Sequence, residues 1–156
     1  MPEIIRNSPS LLIPKELFEE EKIHDYWRVL HPEPPNEIIG KDDLENFFLL
    51  YSKPKEVDSM HEISVMYQEL KEKYPNREHA VCINVYEDDF NVLVVKNREI
   101  TYTGYFHYVV KEDVLYYLAH ISQQFFENLS HVFFGYQQLS PTVLRLLNNY
   151  YEMEKV

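Results

Sequence analysis

Three consecutive segments between His79 and Tyr108 alternate between apolar and polar residues as β-strands do. They are Ala80 to Tyr86, Phe90 to Lys96 and Glu99 to His107. In the first and third segments, residues two apart share a character, because successive side chains of a strand point to opposite faces. The middle segment is apolar on both faces between Val92 and Val95, which is typical of a strand covered from both sides. The pattern predicts an antiparallel meander of three strands.

The two connections of this meander have the composition of tight turns. Asp88 and Asp89 follow the first strand, and aspartate side chains stabilise turns by bonding to nearby backbone. Asn97 and Arg98 connect the second strand to the third. A two-residue hairpin turn needs positive φ, which asparagine tolerates, whereas arginine is a less usual second residue.

A helix is predicted directly after the meander. Glu112 and Asp113 supply the acidic charge that is favourable in a first helical turn. An apolar stripe at helical spacing follows, and its members are Val114, Leu118, Ile121 and Phe125. We expect this stripe to pack on one face of the sheet.

A fourth strand and a terminal helix are predicted after that. The segment from Leu129 to Phe134, closed by Gly135, is short and apolar, and a right-handed crossover would pair it in parallel with the first strand. Ser140 as N-cap and Pro141 at the first helical position begin the terminal helix. Its predicted buried residues are Val143, Leu144, Leu147 and Tyr151.

The first third of the chain is less regular. Met1 to Pro9 is polar and is expected to be a loose lead-in, and the apolar run Ser10 to Ile13 ends at Pro14, which suits the first turn of a helix. One or two short helices are expected before the proline-rich connector His31 to Pro35. Trp27 is the predicted core anchor of this region.

An acidic cluster is predicted to lie in a turn. Ile38 and Ile39 are expected to form a short strand before Gly40, and the polar turn that follows contains Asp42, Asp43 and Glu45. Carboxylates of this kind can hold a divalent cation, but the ligand spacing and glycine of a calcium loop are missing. A solvated turn is therefore the favoured interpretation.

A strand and a helix lead from this turn to the meander. Phe47 to Tyr51 is predicted to be a buried strand, and His61 to Tyr74 a helix ended by Pro75. The apolar positions of the helix are Ile63, Met66, Tyr67 and Leu70. Residues 54–60 have no pattern that assigns them.

Charge and cysteine content limit the function classes. The 156-residue chain has a formal net charge of −11, which argues against nucleic acid or an anionic membrane as a partner. Its single cysteine, Cys82, cannot form an internal disulfide, so a reducing compartment and a cytoplasmic location are expected. The N-terminal segment lacks the apolar core of a signal peptide, and no apolar run approaches the length of a membrane span.

Three segments of the sequence resemble a known family. They are Leu11 to Phe18, Phe90 to Asn97, and above all Glu112 to Leu118, where an acidic pair precedes the tyrosine pair Tyr116 and Tyr117. These segments are similar to an uncharacterised bacterial family of unknown function (DUF) whose known structures have an actin-like ATPase fold. The resemblance implies an α/β fold with a mixed sheet, a ribonuclease-H-like or actin-like lobe in which the meander is followed by helix, strand and helix.

The resemblance also implies a domain organisation. It covers most of this chain but corresponds to the C-terminal portion of the family, whose members usually have two lobes. Residues 76–156 are therefore predicted to form a ribonuclease-H-like lobe. Residues 1–75 would be a segment of helices and short strands, interpreted as a remnant of a first lobe or as a cover for the second.

The site that such a fold normally carries is predicted to be degraded. An actin-like phosphate site needs an acidic residue and a glycine in the first turn of the meander, where backbone amides approach phosphate and a carboxylate holds Mg²⁺. Here Asn84 occupies the expected acidic position, and the turn has no glycine. Weak candidates for cofactor binding are Asp88, Asp89 and Gly135. The resemblance implies ATP and Mg²⁺ as ligands, whereas the residues favour no cofactor and no catalytic group.

Other chemistry finds little support in the sequence. The seven histidines include no pair three or four residues apart, so no helix presents two as metal ligands. The first strand has no carboxylate with which to begin a two-metal nuclease site. Cys82 lies within a strand and is expected to be buried and inert.

Tyrosines are the remaining functional signal. Five candidates for an interface are Tyr102, Tyr105, Tyr108, Tyr116 and Tyr117. Tyrosine is enriched in protein interfaces because it buries a large area at low entropy cost and keeps a polar tip. In the alternative interpretation, about half of these tyrosines simply pack in the core. The function predicted is a non-catalytic binding or scaffold module, for a protein partner or a homo-oligomer, and the alternative is a residual ATP-binding protein or ATPase.

Overall fold

The computed structural model describes residues 2–32, 38–54 and 56–156. The chain divides into two compact units, Met1–Val65 and Met66–Val156. This division falls within a helix, ahead of the boundary at residues 75 and 76 that the sequence suggested. The interpretation of the first part as a remnant lobe stays a prediction.

The first unit contains two groups of paired strands. The strands are β1 (Glu3–Ile5), β2 (Ser10–Pro14), β3 (Ile38–Leu44), β4 (Phe47–Lys53) and β5 (Ser59–His61). β2, β4 and β3 form an antiparallel sheet in that order, and β1 pairs in parallel with β5. Helix α1 (Ile23–Leu30) lies between β2 and β3 in the sequence.

Two predictions for the first unit were wrong, one for residues 1–9 and one for the position of Pro14. The expected lead-in, residues 1–9, contains β1, because its backbone pairs with β5 over the register Glu3↔Ser59 to Ile5↔His61. Pro14 ends β2, and the helical turn that follows it is a short 3₁₀ segment, Lys15–Leu17. The end of the predicted connector, residues 33–35, lies outside the described residues.

The predicted acidic turn was also wrong, because the strand continues through it. β3 runs to Leu44, with Gly40, Asp42 and Leu44 buried on one face, and the chain turns at Glu45 instead. Gly40 pairs with Tyr51 across the sheet. A Cβ at Gly40 would lie 2.5 Å from the Tyr51 ring, so only glycine lets this ring cross the strand.

The apolar cluster of the first unit confirms the predicted anchor. Trp27 is buried with Ile13 and Leu50, and partly buried side chains such as Phe18 and Phe48 surround them. The predicted helices correspond to α1 and two short 3₁₀ turns before it. β4 confirms the predicted buried strand at Phe47 to Tyr51.

The second unit contains the predicted meander. After helix α2 (Glu62–Lys73), which begins in the first unit, its elements are β6 (His79–Val85), β7 (Asp89–Lys96), β8 (Glu99–His107), α3 (Lys111–Phe125), β9 (Val132–Tyr136), α4 (Pro141–Asn148) and β10 (Met153–Lys155). The sheet order is β10-β9-β6-β7-β8. β6, β7 and β8 are antiparallel neighbours, and β9 pairs in parallel with β6, so both pairing predictions are confirmed.

Local signals predicted the second hairpin turn and the starts of both helices of this unit correctly. Asn97 and Arg98 both have positive φ, 55° and 67°, as a two-residue hairpin requires. Ser140 caps α4 by accepting a hydrogen bond from the Val143 amide. The core under α3 contains Val114, Leu118 and Ile121 of the predicted stripe, packed on the face of the sheet that carries Phe90, Val92 and Val94.

One strand of the second unit was missed. α4 ends at Asn148, so Tyr151 lies beyond it, and the chain then forms β10 alongside β9. Within the described residues, no helix is both long and apolar enough to cross a membrane.

Candidate functional site

Asn84 lies at the point where the first strand of the meander ends. Its side chain is 1% exposed. The Oδ1 atom accepts hydrogen bonds from the backbone amides of Gln137 and Gln138, both at 2.9 Å, and the Val85 amide donates to the Gln138 carbonyl at 2.8 Å. The side chain therefore joins the end of β6 to the loop after β9.

Two consecutive amides directed at one acceptor are the geometry that binds anions in proteins. Here the acceptor is the amide oxygen of Asn84, a neutral group of the chain itself. An incoming phosphate oxygen would have to displace this side chain. The sequence indicated Asn84 but not Gln137 or Gln138. These two residues follow Asn84 by 53 and 54 positions, and no local pattern links residues so far apart.

The turn between β6 and β7 holds the other acidic candidates. Asp88 is exposed and Asp89 is buried at the start of β7. The Asp89 carboxylate accepts a hydrogen bond from the Tyr105 hydroxyl, and the Asp88 carbonyl accepts one from the Tyr108 amide. The Tyr108 hydroxyl donates to the Tyr86 carbonyl. Tyr105 in β8 and Tyr108 just after it therefore stabilise this turn through hydrogen bonds.

The third candidate, Gly135, lies inside β9 opposite Cys82 of β6. A Cβ at this position would be 2.7 Å from both Phe133 and Val156 and 3.1 Å from the Cys82 sulfur. The space above the glycine is therefore filled by side chains of the same unit. The structure does not bring Gly135 together with Asp88 and Asp89 in one described cavity.

The five tyrosine candidates differ in what they contact. Tyr102 packs on Phe125 with ring centroids 5.3 Å apart, and burial raises its pKa. Tyr117 stacks on Phe106 at 4.9 Å. Tyr108 has a raised pKa through burial first and then through the acidic residues of the adjacent turn.

Tyr116 is the member of this set that faces solvent. It is 67% exposed and stacks on His120, 6.2 Å away. Two apolar residues just before α3 are exposed as well, Val109 at 91% and Val110 at 51%. The Asp113 carboxylate accepts both of their amides, which lowers its pKa. The junction of β8 and α3 therefore presents apolar and aromatic surface on a backbone that is hydrogen bonded to Asp113.

A buried polar network in the first unit was missed by the sequence. The Asp42 carboxylate accepts hydrogen bonds from the Ser64 hydroxyl at 2.6 Å, the His61 amide at 2.8 Å and the Tyr51 hydroxyl at 3.1 Å. Burial raises the pKa of Asp42 and raises that of Tyr51 to about 12. The period-2 spacing of Gly40, Asp42 and Leu44 was the signal that could have revealed it.

His61 completes this network as a neutral ring. Its Nδ1 accepts a hydrogen bond from the Ile63 amide at 3.1 Å, and its Nε2 lies 2.8 Å from the Ser8 carbonyl and donates to it. Full burial lowers its pKa to about 4. A ring that uses both nitrogens in this way holds the backbone together and has no lone pair left for a metal.

Other reactive side chains are dispersed. No group of three or more His, Cys, Asp or Glu residues could hold a metal ion within residues 2–32, 38–54 and 56–156. Asp43 lies on the exposed face of β3, away from the buried Asp42, and forms an ion pair with Lys15. Cys82 is buried, and burial raises the pKa of its thiol to about 12, which keeps it protonated at neutral pH.

The order and pairing of these elements define a fold class. A crystal structure of a Bacteroides thetaiotaomicron VPI-5482 protein, described as having an actin-like ATPase fold and unknown function, matches the chain with a TM-score of 0.67 and 20% sequence identity. The match covers 94% of this chain and 64% of that one. The chain has the actin-like ATPase fold, as the sequence predicted, and spans 64% of the length of that solved protein.

The sequence identifies the family within this class. The model of the family "Protein of unknown function (DUF3822)" matches residues 4–152, so the chain belongs to that family. This confirms the resemblance to an uncharacterised family with an actin-like fold. A search of curated proteins finds no match.

Proposed function

We propose that this chain is a non-catalytic binding module built on a degenerate actin-like fold. The observation that carries the proposal is the Asn84 side chain, whose Oδ1 takes up the two amides of the loop after β9. In a phosphate site of this fold, such amides would be available to the ligand. Here they are used to fix one strand end to a neighbouring loop.

The surrounding charge supports the same proposal. Glu87 and Asp88 are exposed at the β6–β7 turn, beside the buried Asp89. Carboxylates repel a triphosphate unless a metal lies between them. The Asp89 carboxylate accepts a hydrogen bond from the Tyr105 hydroxyl, which makes this side chain a structural part of the turn.

A protein is the favoured partner. The exposed Tyr116, Val109 and Val110 at the start of α3 are the kind of aromatic and apolar surface that protein interfaces use. The net charge of −11 disfavours nucleic acid and anionic membranes. A cytoplasmic location is part of this proposal, because the chain has one cysteine, Cys82, and it is buried as a thiol.

Residual nucleotide binding is the second candidate, favoured by the same pair of converging amides. Isothermal titration with Mg²⁺ and ATP distinguishes the two functions. We expect no binding in the micromolar range, since the Asn84 side chain would have to leave its two hydrogen bonds first. Micromolar affinity for ATP in the wild-type chain would overturn the proposal.

A further inference from the structure

The second unit has a cavity of about 710 Å³ at one end of its sheet. Its lining includes the first residue of β6, the last residue of β7, the residue after α3 and the loop before β9. These elements contribute His79, Lys96, Phe126 and His131. Asn84 lies near the other end of β6, so the cavity is separate from the site described above. Its volume is in the range of small-molecule sites in proteins.

Two basic side chains of this cavity lie against one aromatic ring. The centre of the His79 ring is 5.2 Å from the centre of the Phe126 ring, and the Lys96 ammonium is 5.9 Å from it. The Asn97 backbone amide donates to Nδ1 of His79 at 3.3 Å, so the proton of the neutral imidazole is on Nε2. The cavity therefore places an ammonium group and an N–H donor beside the same ring.

A second cation lines the same cavity. The Arg77 guanidinium lies 5.4 Å from the centre of the Phe133 ring. Among residues 2–32, 38–54 and 56–156, no carboxylate forms an ion pair with Arg77 or Lys96. Both residues are exposed and lie over aromatic rings, so their charges are available to a ligand.

The carboxylates of the lining do not cancel this positive charge. Glu78 forms an ion pair with Arg98, with atoms 3.7 Å apart, and Glu127 is the other acidic residue of the lining. The cavity therefore has a local excess of positive charge in a chain whose net charge is −11. A ligand with a single carboxylate gains from this local excess, whereas a phosphate dianion is repelled more strongly by the chain as a whole.

We propose that this cavity binds a small organic acid with an apolar body. Lys96 and the Nε2–H of His79 bind its carboxylate, and Arg77 adds positive charge at the rim. The apolar part of the ligand contacts Phe125 and Phe126, which line the same cavity. The inference goes beyond the proposed function, because it assigns a small-molecule ligand to a surface other than the junction of β8 and α3.

Titration of the full ¹⁵N-labelled chain with phenylacetate, followed by amide chemical shifts, tests the inference. Phenylacetate carries a carboxylate and an apolar ring on about ten non-hydrogen atoms, so we expect a dissociation constant of roughly 1 to 5 mM. The amides of His79, Asn97 and Glu127 should shift. 2-Phenylethanol has the ring without the charge and acetate has the charge without the ring, so both should bind at least about threefold more weakly.

Substitutions at the cavity separate the charge from the apolar contact. Lys96→Met and Arg77→Met should each weaken phenylacetate binding about fivefold, since each removes one exposed ion pair to the carboxylate. Neither should change the binding of 2-phenylethanol. Lys155→Met is the matched control, because it removes an exposed lysine of the same unit outside the cavity and should leave both affinities unchanged. All three positions are exposed, so the variants should keep the wild-type melting temperature.

Four results would overturn the inference. The first is phenylacetate binding weaker than about 20 mM, below what its size allows in a formed site. The second is an affinity for phenylacetate that neither Lys96→Met nor Arg77→Met changes. The third is binding of 2-phenylethanol or inorganic phosphate that is as tight as that of phenylacetate, which would contradict the carboxylate. The fourth is a set of amide shifts centred on Asn84 and Gln137, which would place the ligand at the other end of β6.

Discussion

Replacing Asn84 by alanine should lower the free energy of unfolding by about 2 kcal/mol, since each intramolecular hydrogen bond contributes about 1 kcal/mol. The estimate counts the two backbone bonds of 2.9 Å that the Asn84 side chain accepts. For a chain of 156 residues, the melting temperature should fall by roughly 4 to 8 °C. The loss follows from amides that no longer have a protein acceptor.

Urea unfolding followed by far-UV circular dichroism measures this loss. Asn76→Ala, at an exposed position of the same unit, is the matched control and should unfold as the wild type does. Equal stability of Asn84→Ala and wild type would refute the reasoning.

The alanine variant also tests whether the two amides can receive an anion. With the Asn84 side chain removed, both amides face the space it occupied. Millimolar inorganic phosphate should then raise the melting temperature of Asn84→Ala more than that of the wild type. The same increase in both proteins would mean that phosphate acts elsewhere.

Three other substitutions follow from packing and ionisation. Burial lowers the pKa of His61 from 6.5 to about 4. Because the unfolded chain therefore binds this proton at a higher pH than the folded chain does, the free energy of unfolding should fall as the pH decreases from 6.5 to about 4, by up to about 3 kcal/mol. Urea melts at neutral and mildly acidic pH should show this loss in the wild type and not in His61→Asn, whereas the exposed His24→Asn should behave as wild type. Gly135→Ala should cost about 1 to 3 kcal/mol by overpacking, measured by thermal melting, because its Cβ would be 2.7 Å from Phe133. Trp27→Ala should cost about 3 to 5 kcal/mol in the same assay, and a loss under about 1 kcal/mol would contradict its role as an anchor.

Sequence patterns predicted the second unit well because its signals are local. The alternation in β6 and β8 and the continuous apolar run in β7 are visible within each strand, and the positive φ of Asn97 and Arg98 is a property of one turn. Ser140 caps α4 through a bond to a residue three positions away. Each of these elements is determined mainly by its own residues.

The missed features depend on partners that are distant in the sequence. β1 and β5 are three residues long and are stabilised by each other. Gly40 and Asp42 have low strand propensity, yet they are strand residues because Tyr51 crosses over one and donates a hydrogen bond to the other. The candidate site also depends on distant partners. The sequence indicated Asn84 through its expected position in the fold, but it did not indicate the two backbone amides that donate to it.

The Asp42 carboxylate also has a consequence for how the first unit assembles. Because side chains alternate along a strand, sliding β3 by one residue against β4 would expose this carboxylate and place Lys41 in the interior. The Ser64 hydroxyl and His61 amide would then lose their acceptor at the same moment. A buried carboxylate therefore discriminates between correctly and incorrectly aligned β3–β4 hairpins. Misaligned forms are disfavoured during folding because they leave buried hydrogen-bond donors without an acceptor.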